Sequence, residues 1–301
     1  MSMRERLRSY GFSPRKSLGQ NFLADDHIAS SIVDAANIDS RSVVIEIGPG
    51  IGALTRHLVA AARIVIAVEL DQNLIPILSR ETGSPPNLVV IHGDALKVDF
   101  PDLVHSAVPG EASVTFVGNL PYYITSAVVR RMLECTLAVQ SIVLTVQLEV
   151  AQRMTAKPDD MNLLAVGVQF YGRPEILMRI DPSAFYPSPE VDSALVRITP
   201  HVVPLSTDSE TLFTLARAGF NQRRKQLHNT LSTGLHITRQ SATDLLQRAG
   251  IDSTRRAETL GLQEWIHLSK VYCENRSPKR DNASASSASE LAPKAENTTE
   301  L

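Results

Sequence analysis

From residue 42 to residue 154, short apolar runs rich in Val and Ile alternate with stretches whose apolar positions recur at helical spacing. No other feature constrains the fold as strongly. Strands are read at Val43–Ile47, Ile64–Val68, Leu88–Ile91, Val114–Val117 and Ile142–Val146. Helices are read at Leu54–Ala62, Leu74–Ser79, Val128–Leu133 and Glu149–Met154, with Pro76 tolerated in a first turn. Such alternation is the signature of an α/β fold, a parallel sheet covered on both faces. Residues 162–171 read as helix, and Glu175–Ile180 with Ala194–Ile198 as a closing pair of strands around the proline-rich loop 182–189. Beyond residue 208 the pattern changes. Leu212, Phe213, Leu215, Ala216, Leu227 and Leu231 keep helical spacing, so residues 208–272 read as a small helical domain joined near His201–Thr207.

The expected organisation is a basic segment ending in a turn over 1–25, an α/β domain over 26–203, a helical domain over 204–273 and a tail over 274–301. From Ser277 the tail lacks large apolar residues, and disorder is expected there. Apolar residues make up 43% of the chain and charged ones 21%, as in ordinary globular proteins. Cys135 and Cys273 stand far apart and outside any CxxC, which argues against a disulfide framework or a zinc site. A reducing, cytoplasmic location is the simplest expectation. No apolar run approaches the roughly 18–20 residues that span a bilayer, so no membrane partner is expected. Residues 1–10 lack the apolar stretch of a secretory signal. The net charge of −2 gives no global hint of nucleic acid, so local clusters must carry that inference. Arg4, Arg6, Arg8, Arg15 and Lys16 face Glu5 alone, which reads as a solvated tail or, more sharply, a polyanion contact.

The chemistry gathers where strands end. Glu46-Ile47-Gly48-Pro49-Gly50-Ile51-Gly52 closes the first strand and opens a helix, where glycines let backbone N–H groups approach a ligand. The spacing is GxGxG rather than the dinucleotide GxGxxG. An acid two residues ahead of the loop would repel a pyrophosphate but suits a ligand carrying an ammonium and a sulfonium. Glu69 ends the second strand, where an acid can accept both ribose hydroxyls of an adenosine; Asp71 follows it. Gly93-Asp94-Ala95-Leu96 ends the third, with Asp94 able to accept from an adenine amino group. Asn119-Leu120-Pro121-Tyr122 ends the fourth and offers an amide, a stiff turn and a flat ring for a splayed-out base. Alone it reads first as a strand-to-helix turn, with Thr125 or Ser126 capping the helix. Upstream, Gly19-Gln20-Asn21-Phe22-Leu23 reads as a turn presenting Gln20 and Asn21, with Asp25 or Asp26 capping the next helix. Four consecutive strands that end this way imply an adenosine-containing cofactor across the sheet's carboxyl edge.

From about Lys16 to about Leu262 the sequence resembles the class I S-adenosylmethionine-dependent methyltransferases, a Rossmann-like fold with a mostly parallel seven-stranded sheet. More narrowly it is similar to the ribosomal RNA adenine dimethyltransferases of the bacterial small-subunit type. The motifs are those above with Phe185-Tyr186-Pro187-Ser188-Pro189-Glu190-Val191-Asp192-Ser193-Ala194 and Phe220-Asn221-Gln222-Arg223-Arg224-Lys225. The resemblance implies S-adenosylmethionine as cofactor, with Asn21, Leu23 and Gly48 around its methionine end, Glu69 at the ribose and Asp94 at the adenine, and with Gln20, Glu46, Gly50 and Ala95 as further cofactor contacts. It places Asn119 and Leu120 at the target amine, and Tyr122 and Phe185 as faces clamping the target base. Arg217, Arg223, Arg224 and Lys225 become RNA phosphate contacts, with Arg255 and Arg256 extending that surface. Leu148 stands where the family is usually basic, and Asn162-Leu163-Leu164 where a Tyr-Gly pair is common.

The implied activity is dimethylation at N6 of two adjacent adenosines near the 3′ end of 16S rRNA in an immature small subunit, by a monomer needing no metal. Three alternatives accompany it. They are a non-enzymatic assembly factor, a nicotinamide-dependent dehydrogenase, and a 23S rRNA adenine methyltransferase of the macrolide-resistance kind.

Overall fold

The computed structural model describes residues 1–276, apart from Glu111, Tyr122, Tyr123, Val203, Pro204, Ser206 and Thr207. In chain order, α1 (Met3–Ser9), β1 (Phe22–Leu23) and α2 (Asp26–Ala35) precede the alternating region. That region runs β2 (Val43–Ile47), α3 (Thr55–Ala61), β3 (Ile64–Glu69), α4 (Ile75–Thr82), β4 (Leu88–His92), α5 (Phe100–Ala107), β5 (Ser113–Asn119), α6 (Thr125–Glu134), β6 (Ala138–Gln147) and α7 (Leu148–Met154). It closes with α8 (Leu163–Tyr171), β7 (Gly172–Ile180), β8 (Phe185–Tyr186) and β9 (Ser193–Pro200). Four helices follow: α9 (Ser209–Phe220), α10 (Leu227–Leu235), α11 (Arg239–Arg248) and α12 (Leu262–Arg276).

The main sheet has seven strands in the order β4-β3-β2-β5-β6-β9-β7. Strands β4 to β6 are parallel, and β9 runs antiparallel between β6 and β7. Strand side chains alternate between two cores. Val43, Ile45, Ile47, Phe116 and Leu144 face one, packed with α5 to α8; Val44, Val65, Val117 and Val143 face the other, packed with α2 and α3. Burial on both faces is why these strands read as continuous apolar runs. Strand order reverses between β2 and β5, which places a crevice outside their carboxyl ends, at Gly48 and Asn119.

Several local expectations change. The basic amino terminus is no solvated tail: Ser2 and Glu5 form a capping box, and Met3 and Leu7 pack one turn apart against Ile51, Leu74 and Ile77. Helix α5 went unread, although Asp99 caps it and Phe100 and Val104 bury one face. Asp25 caps α2, but neither Thr125 nor Ser126 caps α6; Thr125 Oγ1 donates to Pro121 O instead (3.3 Å). Asn162 caps α8, its Oδ1 accepting from Ala165 N–H (3.0 Å), and Leu148 packs against the main core, which gives both departures from the family pattern a structural role.

The helical unit is not sealed off at residue 203. Met161, Ala165, Val166 and Phe170, in and just before α8, share one core with Leu212, Leu231, Leu246 and Trp265. Helix α12 reaches Arg276, so residues 274–276 belong to it rather than to the tail; Ser277 onward lies outside the described residues.

Candidate active site

The crevice at the carboxyl ends of β2 to β5 is a cleft with about 1000 Å³ of open space. Its walls include Gln20, Asn21, Leu23, Glu46, Gly48, Gly50, Glu69, Asp94, Ala95, Asn119 and Leu120. The glycine loop turns under β2 with φ of +69° at Gly48, +59° at Gly50 and +89° at Gly52. At Gly50 a Cβ would approach the Phe22 ring to 3.0 Å, so glycine there answers both the left-handed backbone and the close approach of β1.

Two carboxylates lie buried in this wall. Glu69 accepts the N–H of Gly50 (3.0 Å) and of Asp71 (2.8 Å), one on each oxygen. Each oxygen has a further lone pair, the number a ribose diol needs. Burial pushes the Glu69 carboxyl up, against the pull of those two N–H donors. Glu46, 1% exposed, accepts from Thr55 Oγ1 (2.7 Å), and burial raises its pKa from 4.5 to about 8. A cationic ligand end would offset that burial. Both carboxylates therefore suit a ligand that pairs a diol with positive charge.

The amino-terminal turn is tied to the same wall. Gln20 Oε1 accepts from Arg15 N–H (2.8 Å) and its Nε2 donates to Asp71 (3.0 Å), with the Arg15 guanidinium 3.4 Å from that carboxylate. Burial raises the Asp71 carboxyl, but Asn73, Gln20 and Arg15 outweigh it and hold it below its ordinary range. With both ends of its amide occupied, Gln20 positions the turn rather than reaching into the cleft. Asn119 Nδ2 donates to Asn21 O (2.8 Å), joining the turn to the end of β5. Asp94 Oδ1 accepts from Leu96 N–H (2.9 Å).

Arg131 on α6 was not anticipated. Its guanidinium donates to Ala95 O (2.7 Å) and Val98 O (2.6 Å) above the Phe100 ring, clamping the loop that carries Asp94. No local sequence signal reveals a contact across 36 residues.

Other expected residues fall elsewhere. Phe185 is buried: β8 pairs with β1 so that Leu23 faces Phe185, and both rest in the core under α2 and α3. It packs beside Leu23 in that core rather than presenting an open face to a base. Tyr122 lies outside the described residues. Arg217, Arg223, Arg224 and Lys225 are all exposed, the last three on the turn between α9 and α10. Arg255 does not extend that surface. Its guanidinium is held by Glu264 and Thr259 O, while Arg256 sits 3.8 Å from Glu258. His228 is buried, with Nδ1 against Ser253 O (2.7 Å).

A family model described as ribosomal RNA adenine dimethylase matches residues 11–273. The chain belongs to that family. A ribosomal RNA small subunit methyltransferase A from Dehalococcoides mccartyi is 44% identical over 274 residues, 90% of this chain and 93% of the relative. The protein of that name from Lysinibacillus sphaericus is 40% identical over 271 residues, 88% of this chain and 92% of the relative. Among solved structures, the 23S rRNA methyltransferase ErmE superposes with a TM-score of 0.66 at 28% identity, over 83% of this chain and 99% of that one. A dimethyladenosine transferase from Plasmodium falciparum shares the fold, with a TM-score of 0.71 at 24% identity over 84% of this chain and 98% of that one. As a ribosomal RNA adenine dimethylase the chain is an S-adenosylmethionine-dependent enzyme, and the diol-accepting and cation-suited walls of the cleft fit that cofactor.

Proposed function

We propose that this chain transfers methyl groups from S-adenosylmethionine to N6 of two adjacent adenosines near the 3′ end of 16S rRNA. The substrate is an immature small ribosomal subunit, and the enzyme works as a cytoplasmic monomer. The Asn119 amide carries the reading. A carbonyl only accepts, so the bond to Asn21 O fixes which end of the amide is Nδ2 and leaves Oδ1 as its acceptor end.

S-adenosylmethionine supplies a methyl group already activated by its sulfonium. Adenine's amine is a weak nucleophile because its lone pair is delocalised into the ring. Asn119 Oδ1 and the Leu120 carbonyl accept its two N–H bonds, turn the lone pair out of the ring plane and stabilise the positive charge that develops on nitrogen. The proton leaves after the N–C bond has formed, so no strong base is required. Glu46, Gly48, Gly50, Asn21 and Leu23 border the methionine end, Glu69 holds the ribose, and Asp94 and Ala95 border the adenine. Tyr122 offers a face to the target base, and Phe185 supports the site through Leu23. Arg217, Arg223, Arg224 and Lys225 hold phosphates.

Unmodified small subunits incubated with the protein and labelled cofactor test this. Dimethyladenosine at two adjacent positions is the expected product. Binding without transfer would favour an assembly factor, and transfer to large-subunit RNA alone would favour the macrolide-resistance reading.

A further inference from the structure

A second groove, with about 860 Å³ of open space, lies where α6, α7, α8 and α9 meet. Its floor is apolar, built from Val129, Leu164 and Phe213, with Leu163 unusually exposed at 39%. Its rim carries Arg130, Arg153 and Arg217, and none of its lining residues is an acid. Arg130 is engaged, paired with Glu134 (2.9 Å) and lying 5.6 Å from the Phe213 ring centroid. Among the described residues Arg153 and Arg217 make no ion pair; Arg217 touches only Thr214 Oγ1 (3.3 Å). An apolar floor under unpaired guanidinium groups matches one chemistry well, a nucleobase flanked by phosphates.

Position strengthens the match. Ile124 lines the cofactor cleft and Ser126 lines the groove, so both open beside the first turn of α6. Two residues of helix rise only about 3 Å but point about 200° apart, so the two openings flank that turn on opposite sides, about 10 Å from one another. On the far side, Phe213 and Arg217 sit one turn apart on α9, which leads to Arg223, Arg224 and Lys225.

We propose that this groove receives an unpaired base of the RNA strand adjoining the target adenosine, with Arg153 and Arg217 on its flanking phosphates. Its place beside the target rests on the methyl-transfer reading above; its capacity for single-stranded RNA does not.

The probe is a single-stranded RNA of about ten nucleotides carrying one 4-thiouridine, crosslinked to the full chain. Crosslinks should map to residues 126–133 or 163–171. Gly167→Leu fills the groove without changing charge, since a Cβ there meets only Phe213 at an ordinary 3.9 Å. It should abolish those crosslinks and weaken RNA binding about tenfold, the loss of one bound base. Arg153→Ala, which leaves the floor intact, should lower the slope of log K against log salt by ~0.7. For both variants kcat/KM on small subunits should fall while S-adenosylmethionine affinity stays constant. Crosslinks confined to residues 223–225 would overturn the proposal. So would wild-type RNA binding by both variants; if they also lost affinity for subunits, the occupant is a protein. Failure of the wild type to methylate subunits would defeat the methyl-transfer reading alone, since the crosslink map reports on the groove regardless.

Discussion

The cofactor cleft and the basic turn after α9 hold their polar groups in opposite ways. In the cleft nearly every functional group is tied to another: Glu69 to two backbone N–H groups, Asn119 to Asn21, Asp71 to Gln20 and Arg15, and the Ala95 carbonyl to Arg131. On the turn, Arg223, Arg224 and Lys225 are exposed and make no ion pair among the described residues. A small cofactor touches few groups, so each must be set before it arrives. Phosphates are attracted through counterion release, which rewards charge and tolerates loose geometry. With the turn proposed to meet RNA phosphates, rigid and unpaired become two designs for two ligands, and substitutions should fail differently in each.

The largest effect is expected at the most tightly oriented group. Asn119→Ala removes an acceptor whose value rises as charge develops on nitrogen. It should slow single-turnover transfer by roughly 10²–10³ at saturating RNA and cofactor, while RNA affinity holds. A wild-type rate would reduce Asn119 to a turn residue. Next comes Glu69→Ala, which removes charge-assisted bonds to a ribose and should weaken cofactor binding by about 1.5–3 kcal/mol in all. It also frees the Gly50 N–H, so the loop itself loses a tie. Calorimetry should show the drop in cofactor affinity, with little change in RNA binding; unaltered affinity would remove Glu69 from the ribose site. On the other side of the comparison, replacing Arg223, Arg224 and Lys225 with Ala should leave cofactor affinity intact. For each phosphate that goes unneutralised, the salt dependence of RNA binding should flatten by ~0.7–0.9 in log–log slope. An unchanged slope would return this turn to a merely solvated surface.

The same contrast explains what could be read in advance. The β2–β6 strands and their polar ends were legible because each motif is local: an apolar run, then glycine, acid or amide at its carboxyl end. The basic turn was legible as a cluster of charge, while its expected role came only from the resemblance. What escaped depends on distant partners. Leu7 is an ordinary apolar residue until it meets Ile51 and Leu74, and Arg131 has no meaning before Ala95 lies beside it. Phe185 shows the converse. Its motif singles out the segment, but pairing with Leu23 turns its ring inward, and no spacing along the chain encodes that register.

The smallest effect separates the two regions by pH. With its pKa near 8, Glu46 is protonated at neutral pH in the ligand-free protein. A sulfonium and an ammonium nearby favour the carboxylate, so binding S-adenosylmethionine should release this proton and affinity should rise with pH up to about 8. If the bound state titrates well below 7, the gain between pH 7 and 9 is about tenfold, one proton's worth. RNA binding by arginines should show no such step. Stability should run the other way. The folded pKa lies above the usual 4.5, so the ligand-free protein holds a proton that the unfolded chain gives up. That contribution is fully present below about 4.5 and is lost as pH rises through about 8. Glu46→Gln should flatten both curves, read by calorimetry on cofactor binding and by thermal unfolding at several pH values. Retention of the wild-type slopes in that variant would assign the titration to another group, and the charge argument for Glu46 at the methionine end would fall with it.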